Sequence, residues 1–158
     1  TRNLSIDPLS KDVCAAAREF SQITLIDRSL SSEETLRLIQ SCDIYLSLHR
    51  AEGFGLVIAE AMRLGKALVA TGWSGNVDFM SDEAGALVPY TLVPVTDTAG
   101  VYKQTNGECW AEPDERSAVE ILDRLVEDSQ LRKRLSAAAK KLIQRKLSAE
   151  NYKRAIEE

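Results

Sequence analysis

The sequence predicts an α/β domain with a Rossmann-like parallel sheet and helices on both faces. Three observations carry this. Short apolar, β-branched runs alternate with stretches of helical period, the pattern of βαβ units. Two of the runs are followed by polar, glycine-containing loops. The chain has 158 residues, 44% hydrophobic and 28% charged, which suits one domain with a real core.

Residues 2–6 read as a short strand, and Ser10 as the cap of a helix over 11–20. Ile23-Thr24-Leu25-Ile26 is β-branched and apolar and reads as a strand. Ser31 or Ser32 precedes Glu33-Glu34, a helix start with acids in its first turn. Leu36, Leu38 and Ile39 are its expected buried face, and it ends near Ser41. The run 43–48 is the next strand, 49–53 a loop, and 55–64 a helix closed by Gly65. A strand over 67–70, the loop 71–76, a short turn of helix over 77–80 and a strand over 86–88 follow. Residues 90–111 break the pattern and read as an irregular excursion or a hairpin. Pro113 is expected to start an amphipathic helix buried through Ala118, Ile121, Leu122, Leu125 and Val126. Ser129 is expected to cap another helix to Lys146, and Ser148 a last one. Right-handed crossovers put the loops after 43–48 and 67–70 at the same carboxyl edge of the sheet, where open α/β sheets bind ligands.

A net charge of -4 argues against a nucleic-acid partner, which calls for a basic surface. No apolar run approaches the ~20 residues of a membrane span, and no signal peptide is visible. Cys14, Cys42 and Cys109 stand singly and read as reduced thiols, buried or half-buried, in a cytoplasmic protein. One histidine and scattered cysteines give no metal-ligand spacing, so no metal and no cofactor are expected. No G-x-G-x-x-G follows a strand, which weighs against a Rossmann dehydrogenase.

The chemistry concentrates in residues 49–62. Glu52 lies in the loop and Glu60 on the helix, with seven residues between them. The helix is apolar nearly all round, so Glu60 should be buried and need a partner; vicinal ribose hydroxyls would serve. Gly53 and Gly55 flank Phe54 and let backbone amides come close to a ligand at a helix N-terminus, a setting suited to phosphate. Glu52, further out, can accept from sugar hydroxyls. An equally physical alternative is a capped helix with Glu60 in an internal ion pair.

The run Glu52-Gly53-Phe54-Gly55-Leu56-Val57-Ile58-Ala59-Glu60-Ala61-Met62 resembles the signature of the family 4 retaining glycosyltransferases: Glu, seven residues, Glu around an EGFGL core. The resemblance continues through 65–80 and Trp110-Ala111-Glu112-Pro113-Asp114 into the paired helices, covering about 23–146. It implies the C-terminal, donor-binding half of a GT-B enzyme that transfers a sugar from a nucleoside-diphosphate sugar to an acceptor hydroxyl with retention. It implies Glu60 on the donor ribose and Glu52 on the donor sugar as the catalytic-site carboxylate. Backbone of Gly53, Phe54, Gly55 and Leu56 would hold sugar and diphosphate, and the base would lie near Asp27-Arg28. The family's diphosphate-neutralising Arg and Lys have no match, because Arg2 and Lys11 stand in other contexts. The first strand and helix of the donor domain and the N-terminal acceptor domain are therefore expected to be missing, and the isolated chain to be inactive. The alternative is a non-catalytic nucleotide-sugar-binding module.

His49, beside the motif, is either a structural histidine or a donor-sugar contact. Ser74, Gly75 and Asn76, in the neighbouring loop, are either turn chemistry or a sugar or acceptor contact. Arg132, Lys133, Arg134, Lys140, Lys141, Arg145 and Lys146 fall between Leu131 and Leu147 without an acid, giving a solvated face or a peripheral contact with anionic lipid. A saccharide or a lipid-linked acceptor suits such a transferase. Trp73, Trp110 and the tyrosines are expected in the core or at a domain interface.

Overall fold

The computed structural model describes residues 10–96 and 107–148. It divides into two compact units, Thr1–Arg37 and Leu38–Glu158. The strand expected over 2–6 and the helix expected after Ser148 lie outside the described residues.

In the first unit, α1 runs Ser10–Glu19 and α2 begins at Ser32. The start of α2 is a reciprocal capping box. The Glu34 amide donates to Ser31 Oγ at 3.2 Å, and the Ser31 amide donates to Glu34 Oε2 at 2.8 Å. These bonds, with Arg28 2.9 Å from Glu34 Oε1, hold the Glu34 carboxyl below the usual range, the backbone bond contributing most. Residues 23–26 form no strand. Their backbone joins no ladder among the described residues, and Ile23, Leu25 and Ile26 stay 38–43% exposed. β-branched composition favours a pleated surface only where a neighbouring strand completes it. Leu36 is likewise exposed.

In the second unit, α2 ends at Ser41, with Ile39 buried and Leu38 exposed. Then come β1 (Ile44–Ser47), α3 (Leu56–Arg63), β2 (Ala67–Thr71), a 3-10 turn (Gly75–Asp78) and β3 (Ala86–Val88). The turn starts two residues before the expected 77–80. The strands pair in parallel in the order β1-β2-β3, with Ile44 opposite Ala67 and Val69 opposite Ala86. β2 is buried at every residue, as a central parallel strand covered on both faces must be. Its alternation feeds two cores. Leu68 and Ala70 pack with Ile58, Met62, Ala139 and Ile143, while Val69 packs with Val88, Ala118, Leu125 and Leu135.

The excursion is a hairpin: β4 (Tyr90–Pro94) runs antiparallel to β5 (Cys109–Pro113). Pro113 thus ends a strand and does not start a helix. Asp114 caps α4 (Glu115–Glu127), accepting from the amides of Arg116 and Ser117. Asp128, not Ser129, caps α5 (Ser129–Lys146) through the amides of Gln130 and Leu131. A carboxylate accepts these bonds with charge assistance at the positive end of the helix, which a hydroxyl lacks. Val126 lies on the open side of α4, 65% exposed, so its spacing was core-like but its face is not. Cys109 is exposed, where the sequence predicts a buried or half-buried thiol. Of the aromatic residues expected in the core or at a domain interface, Tyr45 packs against the core, Trp73 and Trp110 are half-buried, and Tyr90 is exposed.

Candidate functional site

Parallel pairing of β1 with β2 brings the following loops, 49–54 and 71–76, to one sheet edge, where they touch. The Gly75 amide donates to the Glu52 carbonyl at 3.0 Å. The Ser74 hydroxyl donates to the same carbonyl at 2.6 Å and accepts from the Glu52 amide at 3.2 Å. Gly75 is required by space and not by its dihedrals: a Cβ there would strike the Gly53 carbonyl oxygen and lie 2.7 Å from its carbon. Ser74 holds φ 76°, a conformation that costs a non-glycine residue about 1–3 kcal/mol. Its two bonds to Glu52 hold it there.

Glu52 is half-buried. Its Oε1 accepts from the Gly55 amide at 3.2 Å, which turns the loop into α3, while Oε2 has no partner among the described residues. Gly55 sits at φ 88°, the left-handed region glycine favours, and no side chain caps the first turn of α3. By contrast α2, α4 and α5 carry side-chain caps. The amides opening α3 are therefore left for another acceptor.

The helix is not buried all round. Ile58, Ala59, Ala61 and Met62 face the core, but Leu56 is 68% exposed and Val57 38%. Glu60 lies one turn from both, half-buried, and makes no hydrogen bond or ion pair among the described residues. The internal ion pair open at the sequence level is thus not formed. Tyr45, on β1, lies close enough to feel both carboxylates: burial first, then Glu52 and Glu60, push its hydroxyl above the ordinary tyrosine range. Both acids of the motif thus act on the same tyrosine.

Of the remaining candidates, Gly53 faces open space and Phe54 rests on Phe79 at 5.1 Å between ring centres. His49 and buried Asn76 meet at 3.1 Å across the two loops. The sequence reading missed Arg50. It reaches Glu112 of β5 at 2.7 Å, stands 5.1 Å over the Trp110 ring, and its carbonyl accepts from the Ala111 amide at 2.9 Å. Residues so far apart in sequence give no local signal of this brace. Thr71 Oγ1, at the end of β2, is buried without a partner among the described residues.

The family profile described as "Glycosyl transferases group 1" matches residues 16–142. The chain belongs to this family. This glycosyl transferase group 1 chain is similar to the solved C-terminal domain of a group 1 family protein (LpcC) from Francisella tularensis. The two are 25% identical with a TM-score of 0.66, over 94% of this chain and 65% of that one. It shares its fold with sucrose-phosphate synthase from Thermosynechococcus elongatus at 18% identity and TM-score 0.66, covering 96% of this chain and 35% of that one. It shares it also with Anabaena HepE, solved in complex with UDP-glucose, at 20% identity and TM-score 0.62, covering 93% and 35%. The group 1 chain thus spans 65% of the first of these proteins and about a third of the other two. No curated protein matches it significantly. Its architecture is that of the C-terminal domain of a GT-B glycosyltransferase. Among the described residues, no helix is long and apolar enough to cross a membrane.

Proposed function

We propose that this chain is the donor-binding domain of a retaining transferase that moves a sugar from a nucleoside-diphosphate sugar to an acceptor hydroxyl. The observation that carries the reading is the half-buried Glu60 carboxylate, unpartnered among the described residues, beside exposed Leu56 and uncapped amides at the sheet's carboxyl edge. A half-buried carboxylate with no partner among the described residues is left to accept from a ligand, and ribose hydroxyls supply two donors. The amides of Phe54 and Leu56 face the diphosphate, and Glu52 Oε2 accepts from a sugar hydroxyl. In the transfer, the bond from the sugar's anomeric carbon to the diphosphate oxygen breaks as the acceptor oxygen bonds that carbon. The acceptor proton leaves with the diphosphate. The protein's main task is to stabilise the charge that develops on the departing group. Glu52 recognises the sugar and is not a covalent nucleophile. An acceptor of saccharide or lipid-linked type and a separate acceptor-binding domain complete this reading.

The test is Glu60→Gln. Losing hydrogen bonds to a charged acceptor costs about 1.5–3 kcal/mol, so nucleotide affinity should fall roughly ten- to a hundredfold. A thermal-shift screen with UDP-, GDP- and ADP-sugars first identifies the base. Wild type then prefers the nucleoside diphosphate over its 2′,3′-dideoxy analogue, and Glu60→Gln loses most of that preference. Full discrimination by the variant rules out the ribose role.

The basic face of α5, with Lys133, Arg134, Lys140 and Lys141 exposed, suits peripheral contact with anionic lipid. Cosedimentation with phosphatidylserine vesicles, but not with phosphatidylcholine vesicles, is the expected result; equal recovery with both removes the idea.

A further inference from the structure

His49 has no nitrogen to spare. Nε2 stands 3.0 Å from the Trp73 carbonyl and 3.1 Å from Asn76 Oδ1, and Nδ1 stands 3.1 Å from Ser47 Oγ. The proton positions follow from the partners. A carbonyl only accepts, so Nε2 carries the hydrogen. Asn76 is oriented by the same logic: its Nδ2 lies 3.0 Å from the Thr71 carbonyl and must donate there, which turns Oδ1 toward the ring. In the neutral ring Nδ1 then accepts from the Ser47 hydroxyl. A directed chain results, from Ser47 at the end of β1 through His49 and Asn76 to Thr71 at the end of β2. Asn76 is fully buried, so no ligand reaches it.

The chain holds the turn that carries Ser74. Trp73 and Asn76, gripped by the imidazole, flank Ser74 and Gly75, and these make the three bonds that fix the Glu52 backbone. A residue at φ 76° stays in place only where its neighbours over-determine it, and the imidazole bonds to Trp73 and Asn76 add to the constraint from its own bonds to Glu52.

We propose that His49 is a positioning residue: with Ser47 and Asn76 it clamps the two carboxyl-edge loops, sets Glu52 from behind, and does not itself touch the donor. The inference rests on the donor-site reading only for its consequence in sugar binding; the clamp itself is read independently.

The experiment has two arms. His49 is the chain's one histidine, so its ring nitrogens are identified without assignment by long-range proton–nitrogen NMR. The wild-type ring should show a single Nε2–H tautomer with a slowly exchanging ring proton. Ser47→Ala, a mild change, leaves both acceptors facing Nε2 and should keep that tautomer, while the Nδ1 resonance shifts with the loss of its donor. A ring that already averages both forms in wild type overturns the clamp. The second arm compares UDP-glucose, GDP-mannose and ADP-glucose, each against its bare nucleoside diphosphate. His49→Leu and Asn76→Ala should each reduce the sugar's added affinity by about tenfold and leave the bare diphosphate unchanged. The double variant should be no worse than either, because both break one chain. His49→Gln, which keeps a donor where Nε2 stands, should recover most of the loss and provides a folded comparison if Asn76→Ala does not fold. If His49→Leu loses the sugar while folded Asn76→Ala or Ser47→Ala keeps it, His49 is a donor ligand and the proposal is wrong. If no nucleotide sugar binds wild type, the donor reading fails, and the ring signature alone upholds or overturns the clamp.

Discussion

Gly75→Ala gives the most direct test of how the two loops meet. The new Cβ would strike the Gly53 carbonyl oxygen and lie 2.7 Å from its carbon and 2.8 Å from Phe54 Cα. All three are backbone atoms, so no side chain can swing aside. Two responses remain. The loops stay and bear the overlap, about 1–3 kcal/mol by analogy with overpacked cores. Or they part and lose the three hydrogen bonds to Glu52, on the order of 1 kcal/mol each. The cheaper response sets the measured cost. Alanine's smaller unfolded-state entropy returns about 0.4–1 kcal/mol. Taking the middle of each range, about 2 less about 0.7, the net destabilisation is about 1.3 kcal/mol. At about 2–4 °C per kcal/mol for a chain of this size, the melting midpoint should fall by roughly 3–5 °C. Gly53→Ala is the control. Its Cβ meets nothing within 4 Å, so it should melt within about 2 °C of wild type. Calorimetry on the two variants decides: a Gly75→Ala protein that melts with wild type refutes the contact between the loops.

Thr71→Val should leave stability unchanged or raise it by about 1 kcal/mol, since it removes a buried hydroxyl that has no partner among the described residues; a loss of that size in urea unfolding would reveal a partner for Oγ1. Asp114 should contribute to an acid limb of stability. Bonds from the Ser117 amide and hydroxyl, then the Arg116 amide, lower its folded-state carboxyl below the usual aspartate range. A carboxyl depressed in this way stabilises the fold above its unfolded value and loses that contribution as pH falls through its folded value. Asp114→Asn, which keeps an acceptor but cannot titrate, should flatten that part of the pH–stability profile; an unchanged slope by circular dichroism contradicts the cap.

What the sequence made legible was local or periodic. β1, α3 and β2 were readable because their apolar runs are bounded by glycine and polar loops. The shared edge of loops 49–54 and 71–76 followed from handedness alone. Residues 23–26 were misread because β-branched composition says nothing about whether a partner strand is present. The start of α4 is expected two residues early, at Pro113, and the cap of α5 one residue late, at Ser129, because a neighbouring carboxylate takes the cap in each case. The face of α3 was misread because a run of apolar residues shows no period, and its open side depends on which elements pack against it. At the site, the Glu52–Glu60 spacing was visible as a motif. The partners of His49 were not: Asn76 lies far along the chain, and the pairing depends on how two loops meet.

The hairpin joins the rest of its unit at its base. Residues 94 and 109 face each other, the Val95 amide bonds the Glu108 carbonyl just beyond, and Ala111 and Asp114 anchor the return strand to Arg50 and Pro89. The chain leaves and re-enters this ladder at neighbouring points. The cost of closing what stands between such points rises only with the logarithm of its length, about 0.6 kcal/mol for each doubling. A change of length between those two points therefore costs little and leaves the Arg50–Glu112 pair in place on the motif loop.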